Sequence, residues 1–278
     1  PLAASKDVVY RGHGPVKAIT YELTLPQDNN HRPIYSDNDY EQGNNQLSLI
    51  NVPANTARLV VEVLKHVKGP GFNPIIGDLS GSLAIHIGRD FNGNGEADFD
   101  EEWLCSSTTQ IELNYCSLTK PDAGTYWVLL SNTSLNMFDW TREEGPDPYD
   151  YYKIKAEDLV DTYKVATAVV PMGANGLTAA GPAVTDGKPV NIDLSWDLNH
   201  LIEGDIAYAG FDIGSSAAPG NIGFIPLRLE RGMDDVTVTA NKKVRGGEVI
   251  DVNVHVVQNN TGADRDFDLS TTIPEGLT

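Results

Sequence analysis

No stretch of this chain approaches the roughly 20 consecutive apolar residues that a membrane-spanning helix requires, so no membrane span is expected. Positive charge is scarce as well. Lys and Arg number 20 against 39 Asp and Glu, a net charge of -19 that repels nucleic acid and anionic membranes and favours metal cations. No nucleic-acid partner is expected. Cysteine is limited to Cys105 and Cys116, too few ligands for a zinc site. The usual catalytic signatures are missing: there is no G-x-S-x-G, no phosphate-cradling glycine loop and no C-x-x-C, and the six histidines form no H-x-x-x-H pair. No segment carries a helical apolar stripe over more than two turns. The first residues, from Pro1, lack Met and the charged-then-apolar pattern of a signal peptide, which suggests a processed or excised piece.

What the chain has in abundance is period-two alternation, and this predicts an all-β fold. In Val190 to Asp197 the residues Val190, Ile192, Leu194 and Trp196 fall on one face and Asn191, Asp193, Ser195 and Asp197 on the other, the pattern of a half-buried strand. The same logic marks Ile19 to Leu25, Leu59 to Leu64, Leu83 to Ile87, Thr125 to Leu130, Tyr163 to Val170, Ile206 to Phe211, Ile225 to Leu229 and Ile250 to Val256. With 278 residues and 40% hydrophobic content the chain can bury ordinary cores, and its length suggests two or three domains. Punctuation by strand breakers divides it into 1–170, 171–232 and 233–278, with the break at Pro171 to Gly176 and the last block too short to close a sandwich alone.

One segment carries chemistry. Asp90 to Glu101 reads D-x-N-x-N-G-x-x-D-x-x-E, the twelve-residue spacing of an EF-hand calcium loop. Calcium is a hard cation that takes six to eight oxygens. Side chains of Asp90, Asn92 and Asn94 would come to one side of the curled chain, Gly95 would permit the sharp turn, and Glu96 would contribute through its backbone carbonyl. Asp98 and Glu101 complete the set. The strand Leu83 to Ile87 stands where a true EF-hand has a helix, so the loop is EF-hand-like only. The competing reading is an Asx- and Gly-rich turn held by its own side-chain to backbone bonds. A calcium ion here is expected to stabilise the fold and not to switch it.

The two cysteines have ten residues between them, a spacing that suits a disulfide across a hairpin or loop and an oxidising compartment, with a pair of reduced structural thiols as the alternative. Trp127 and Trp196 sit inside alternating strands and are expected in the core. His86 alternates with Leu83, Ile85 and Ile87 and is expected to face solvent. In the acidic stretch Thr141 to Tyr152 and just before it, Phe138, Trp140 and Tyr149 form a candidate ligand-contact patch.

Taken together, Val52-Pro53-Ala54-Asn55, the strand entering the acidic loop, the paired cysteines and Pro121-Asp122-Ala123-Gly124-Thr125-Tyr126-Trp127-Val128 resemble the bacterial pre-peptidase C-terminal domain, over roughly residues 16 to 170. Ser195-Trp196-Asp197-Leu198, Gly204-Asp205 and Asn221-Ile222-Gly223-Phe224-Ile225-Pro226 look like the small immunoglobulin- or fibronectin-like segments that follow such domains in large subtilisin-like proteases. Asp235 to Thr278 is similar to the start of a surface-protein repeat. The resemblance implies a tandem β-sandwich, jelly-roll-like in its first domain, with small immunoglobulin-like domains after it.

The function so implied is a non-catalytic, calcium-stabilised accessory region of a secreted or cell-surface bacterial subtilisin-like serine protease. Its partners would be the parent's catalytic domain and an extracellular protein or polysaccharide. The parent's nucleophile segment is absent from these residues, and His13-Gly14 lacks the surroundings of a catalytic histidine. Two other classes compete: a carbohydrate-binding module that stacks sugars on tryptophan, and a calcium-stiffened adhesin segment.

Overall fold

The structure is a computed structural model that describes residues 6–26, 43–69, 82–109, 113–133, 160–173, 176–198, 200–232, 236–240 and 252–256. These residues hold strands and no helix. In chain order the strands are β1 (Val9–Lys17), β2 (Ile19–Pro26), β3 (Asn45–Val52), β4 (Thr56–Val67), β5 (Leu83–Arg89), β6 (Trp103–Ser107), β7 (Tyr115–Thr119) and β8 (Gly124–Asn132). Then come β9 (Val160–Pro171), β10 (Leu177–Ala180), β11 (Asp193–Trp196), β12 (Ile206–Gly214), β13 (Gly223–Glu230), β14 (Val236–Ala240) and β15 (Val252–Val256). The all-β expectation holds.

Two four-stranded antiparallel sheets form a sandwich. The central sheet runs β2-β9-β4-β7 and the front sheet β3-β8-β5-β6. Alternation decides what lies between them: Leu59, Val61 and Val63 of β4 face Leu83, Ile85 and Ile87 of β5, with Val128 and Leu130 of β8 and Tyr163 and Val165 of β9. Each such side chain, fully buried, contributes roughly 1.5–3 kcal/mol of hydrophobic stabilisation.

The opposite face of the central sheet is covered too. Val60 of β4 and Ala166, Ala168 and Val170 of β9 pack against Ile206 and Tyr208 of β12. β12 belongs to a back sheet of order β1-β12-β13. This explains the near-continuous apolar run Leu59 to Leu64, since a strand buried on both faces needs apolar residues at odd and even positions. Two polar residues, Arg58 just before this run and Glu62 within it, are accommodated at the interface. Arg58, 1% exposed, donates from Nη1 to the carbonyls of Ala209 (3.1 Å) and Leu227 (3.0 Å) and from Nε to Ser117 Oγ (2.8 Å). Glu62 accepts from Tyr208 and from Arg228 Nε (2.9 Å).

Chain order and pairing therefore diverge. β1 lies within residues 1–170 but pairs with β12 of residues 171–232, from Val9↔Gly214 to Lys17↔Ala207 with a register shift between His13 and Val16. At buried Ala18, whose N–H donates to Ile206 at 2.8 Å, the chain leaves the back sheet and enters the central one as β2. The hairpin β10-β11 covers the far side of the back sheet, where Ala179, Ile192 and Leu194 pack on Phe211 and Ile213. β14 and β15 form a separate antiparallel pair.

Two burial expectations are corrected. His86 is 3% exposed, because the front sheet's outer face is covered by the loop that follows β5. Trp196 is 50% exposed, because its strand starts only at Asp193 and belongs to a two-stranded hairpin too small to cover a large ring.

Candidate functional site

The loop between β5 and β6 folds back over the front sheet. Ala97 is buried, and with Phe99 it packs on Trp127 and Leu129 of β8 and on Leu47 of β3. Phe99 meets the His86 ring edge-on, with centroids 5.2 Å apart, and the Trp127 ring at 5.5 Å. Burial pulls the His86 pKa down to about 4, and its Nδ1 lies 3.2 Å from Ser106 Oγ.

The anchor of this loop is Glu102. Its carboxylate is buried and accepts three N–H groups: Phe91 (2.7 Å) and Asn92 (3.3 Å) on Oε1, and the Trp127 indole (2.9 Å) on Oε2. Charge-assisted bonds of this kind are worth about 1.5–3 kcal/mol each. The twelve-residue spacing makes Glu101 a calcium ligand, and Glu101 is exposed; the next residue, Glu102, is the one that turns inward. A signal existed in Gly88, a glycine inside an apolar strand. A Cβ there would overlap the Trp127 ring and the Glu102 carbonyl, so Gly88 marks where loop and indole crowd the backbone.

The candidate ligands sit on the solvent side. Asp90 Oδ1 accepts from Gly93 N–H (2.7 Å) and Oδ2 from Gly95 N–H (3.1 Å). Asn92 Oδ1 accepts from Asn94 (2.8 Å), and Asn94 Oδ1 from Glu96 (2.9 Å). Asp98 Oδ1 accepts from Asp100 (2.9 Å) and Glu101 (3.0 Å). These are successive Asx turns. Gly95 has φ +74°, the left-handed conformation that the sharp turn at the sixth position demands.

The donor chemistry suits calcium, since every candidate group is an oxygen and the oxygens of Asp90, Asn92 and Asn94 that bond to the loop's own amides each keep a second acceptor site. Asp90, Asn92, Asn94 and the Glu96 carbonyl would hold the ion from the ordered first half. Asp98 and Glu101 would complete the set from the second half; among the described residues no three His, Cys, Asp or Glu side chains gather around one point. Glu101 and Glu96 are exposed, and Asp98 is half-buried.

Cys105 and Cys116 are bonded, with Cα atoms 6.1 Å apart. The bridge ties β6 of the front sheet to β7 of the central sheet, so it staples the two layers of the sandwich. Below it, buried Asn114 donates to the Leu83 carbonyl (2.9 Å) and accepts from Ser107 Oγ (2.8 Å) and Thr109 N (2.9 Å), fixing the turn between the strands. Phe138, Trp140 and Tyr149 lie outside the described residues.

His13 lacks the sequence surroundings of a catalytic histidine. It is buried with neither ring nitrogen free: Nδ1 accepts from Gly173 N–H (3.0 Å), so Nε2 carries the proton and donates to Asp212 Oδ2 (2.9 Å).

No protein-family profile matches the chain, and no curated protein does. Among solved structures, a Bacillus licheniformis lipase in its propeptide form aligns with 91% of the chain at 11% identity and a TM-score of 0.22, a likeness too slight to carry an argument. The chain spans 44% of that lipase's length.

Proposed function

We propose that this chain is a non-catalytic, calcium-stabilised β-sandwich region of a secreted bacterial protein, accessory to a subtilisin-like serine protease. The observation that carries the reading is the loop from Asp90 to Glu101. Its ordered half presents side-chain oxygens to solvent around Gly95, while its base is locked to the front sheet by Glu102 and Trp127. An ion bound there would clamp a long connection beside an inter-sheet disulfide, where an extracellular protein gains most from it. The protease assignment rests on the sequence resemblance to pre-peptidase C-terminal domains.

Calorimetric titration of the chelator-treated chain with calcium, and melting curves with and without the ion, test the metal. Calcium at a hundredfold over its dissociation constant is expected to stabilise the fold by roughly 2.7 kcal/mol, and Asp90→Ala to abolish the gain. An unchanged melting curve would refute the site. The parent is tested by the reading frame that encodes these residues: a catalytic domain in it supports the protease, and an array of further repeats supports an adhesin.

A further inference from the structure

The described residues include only two non-glycine positions with positive φ, Asn55 at +63° and Lys120 at +50°. Both line one open cleft of about 570 Å³, together with Arg11, His13, Met172, Gly173, Asp212 and Pro219. The cleft lies where the ends of the central sheet meet the back sheet. Left-handed backbone at non-glycine residues costs free energy and persists only where the surroundings hold it. Here they do: the Asn55 carbonyl accepts from Met172 N–H (2.7 Å), and Lys120 N–H donates to Ala57 (2.8 Å). The cleft's walls are thus preformed.

Its electrostatics are unlike the rest of this acidic chain. Asp212 is buried, and its Oδ1 lies 2.8 Å from Lys120 Nζ while Oδ2 accepts a hydrogen bond from His13 Nε2 (2.9 Å). Lys120 and Asp212 therefore cancel. Arg11, the cross-strand neighbour of Asp212, is exposed and has no ion-pair partner among the described residues. A net charge of about +1 remains, carried by a guanidinium whose planar fork matches a carboxylate. The exposed Asn55 amide and the Lys120 ammonium supply further donors.

We propose that this cleft is a binding site for a monoanionic carboxylate, either a small organic acid or the free C-terminus of a peptide. A doubly charged anion such as phosphate is disfavoured, because buried Asp212 stands in the same cleft and the whole chain carries -19. The site is independent of calcium and of the protease assignment.

The experiment uses the whole chain at low ionic strength, with backbone amide NMR as readout and sodium acetate, N-acetylglycine, N-acetylglycinamide and inorganic phosphate as probes. The carboxylates are expected to shift the amides of Arg11, Lys120 and Gly173 saturably, and the neutral amide to leave them in place. Equal binding of acetate and N-acetylglycine assigns the site to carboxylates in general, and tighter binding of N-acetylglycine assigns it to a peptide terminus. Arg11→Gln is expected to weaken binding about tenfold without lowering the melting temperature, since the side chain is exposed and bonds to no described residue. Absence of saturable shifts with both carboxylates, phosphate binding tighter than acetate, or unchanged affinity in the folded Arg11→Gln variant would each overturn the proposal.

Discussion

His86 shows how a single residue can be placed correctly on a strand and wrongly on its face. Its position beside Leu83, Ile85 and Ile87 is legible from alternation, and it does lie on the face opposite theirs. That face is dry because Phe99, thirteen residues further on, closes over it. The consequence is a pH dependence with a definite sign. The folded-state pKa, about 4, lies below the ordinary value of 6.5, so the unfolded chain takes up a proton that the folded chain excludes. The contribution of His86 to stability is expected to be fully present above pH 6.5 and to be lost as the pH drops towards 4, by about 3 kcal/mol in all. Urea midpoints measured across that window should show the slope, and His86→Gln should flatten it. A slope retained in the variant would assign the effect to other groups.

At the scale of elements, the loop between β5 and β6 behaves as part of the front sheet. Its turn-forming residues and Gly95 were readable from composition and spacing, because Asx turns and left-handed glycine are local preferences. Glu102 was not, since what recruits its carboxylate is an indole on β8, distant in sequence. Glu102→Gln replaces an acceptor-only group with an amide whose NH2 faces N–H donors. It should cost about 1–3 kcal/mol by urea unfolding and speed hydrogen exchange at Phe91 and Asn92. Exchange at those amides no faster than in the parent would mean that the loop is held from elsewhere. The disulfide was likewise legible as a spacing, but its role was not. Ten intervening residues suit a hairpin or a loop alike, and only the pairing shows that β6 and β7 belong to different sheets.

For the whole molecule, the division suggested by the Pro171 to Gly176 break follows turn chemistry, while strand pairing crosses it. Residues 171–232 contain β12 and β13 but not β1, which completes their sheet, nor the central sheet on which Ile206 and Tyr208 are buried. A fragment of residues 171–232 is therefore expected to show no cooperative thermal transition by circular dichroism, and a cooperative one would establish an independent domain. Most interior strands could be read in advance, because a half-buried face imposes period two and a doubly buried strand such as β4 imposes an apolar run. β1, with Gly12, Gly14 and Pro15, and the short edge strands β6 and β7 could not, since their pairing is set by partners and not by pattern. The sequence by itself determined the all-β class, the oxygen-rich turn at Asp90 and the disulfide partners, all consequences of local periodicity, local hydrogen bonding or cysteine count. Only the tertiary structure decided that the sandwich has a third layer, that Glu102 anchors the loop to the front sheet, and that Arg11, Asn55, Lys120 and Asp212 share one cleft. Each of these depends on residues brought together across long separations, where burial and charge act through space and leave no period in the chain.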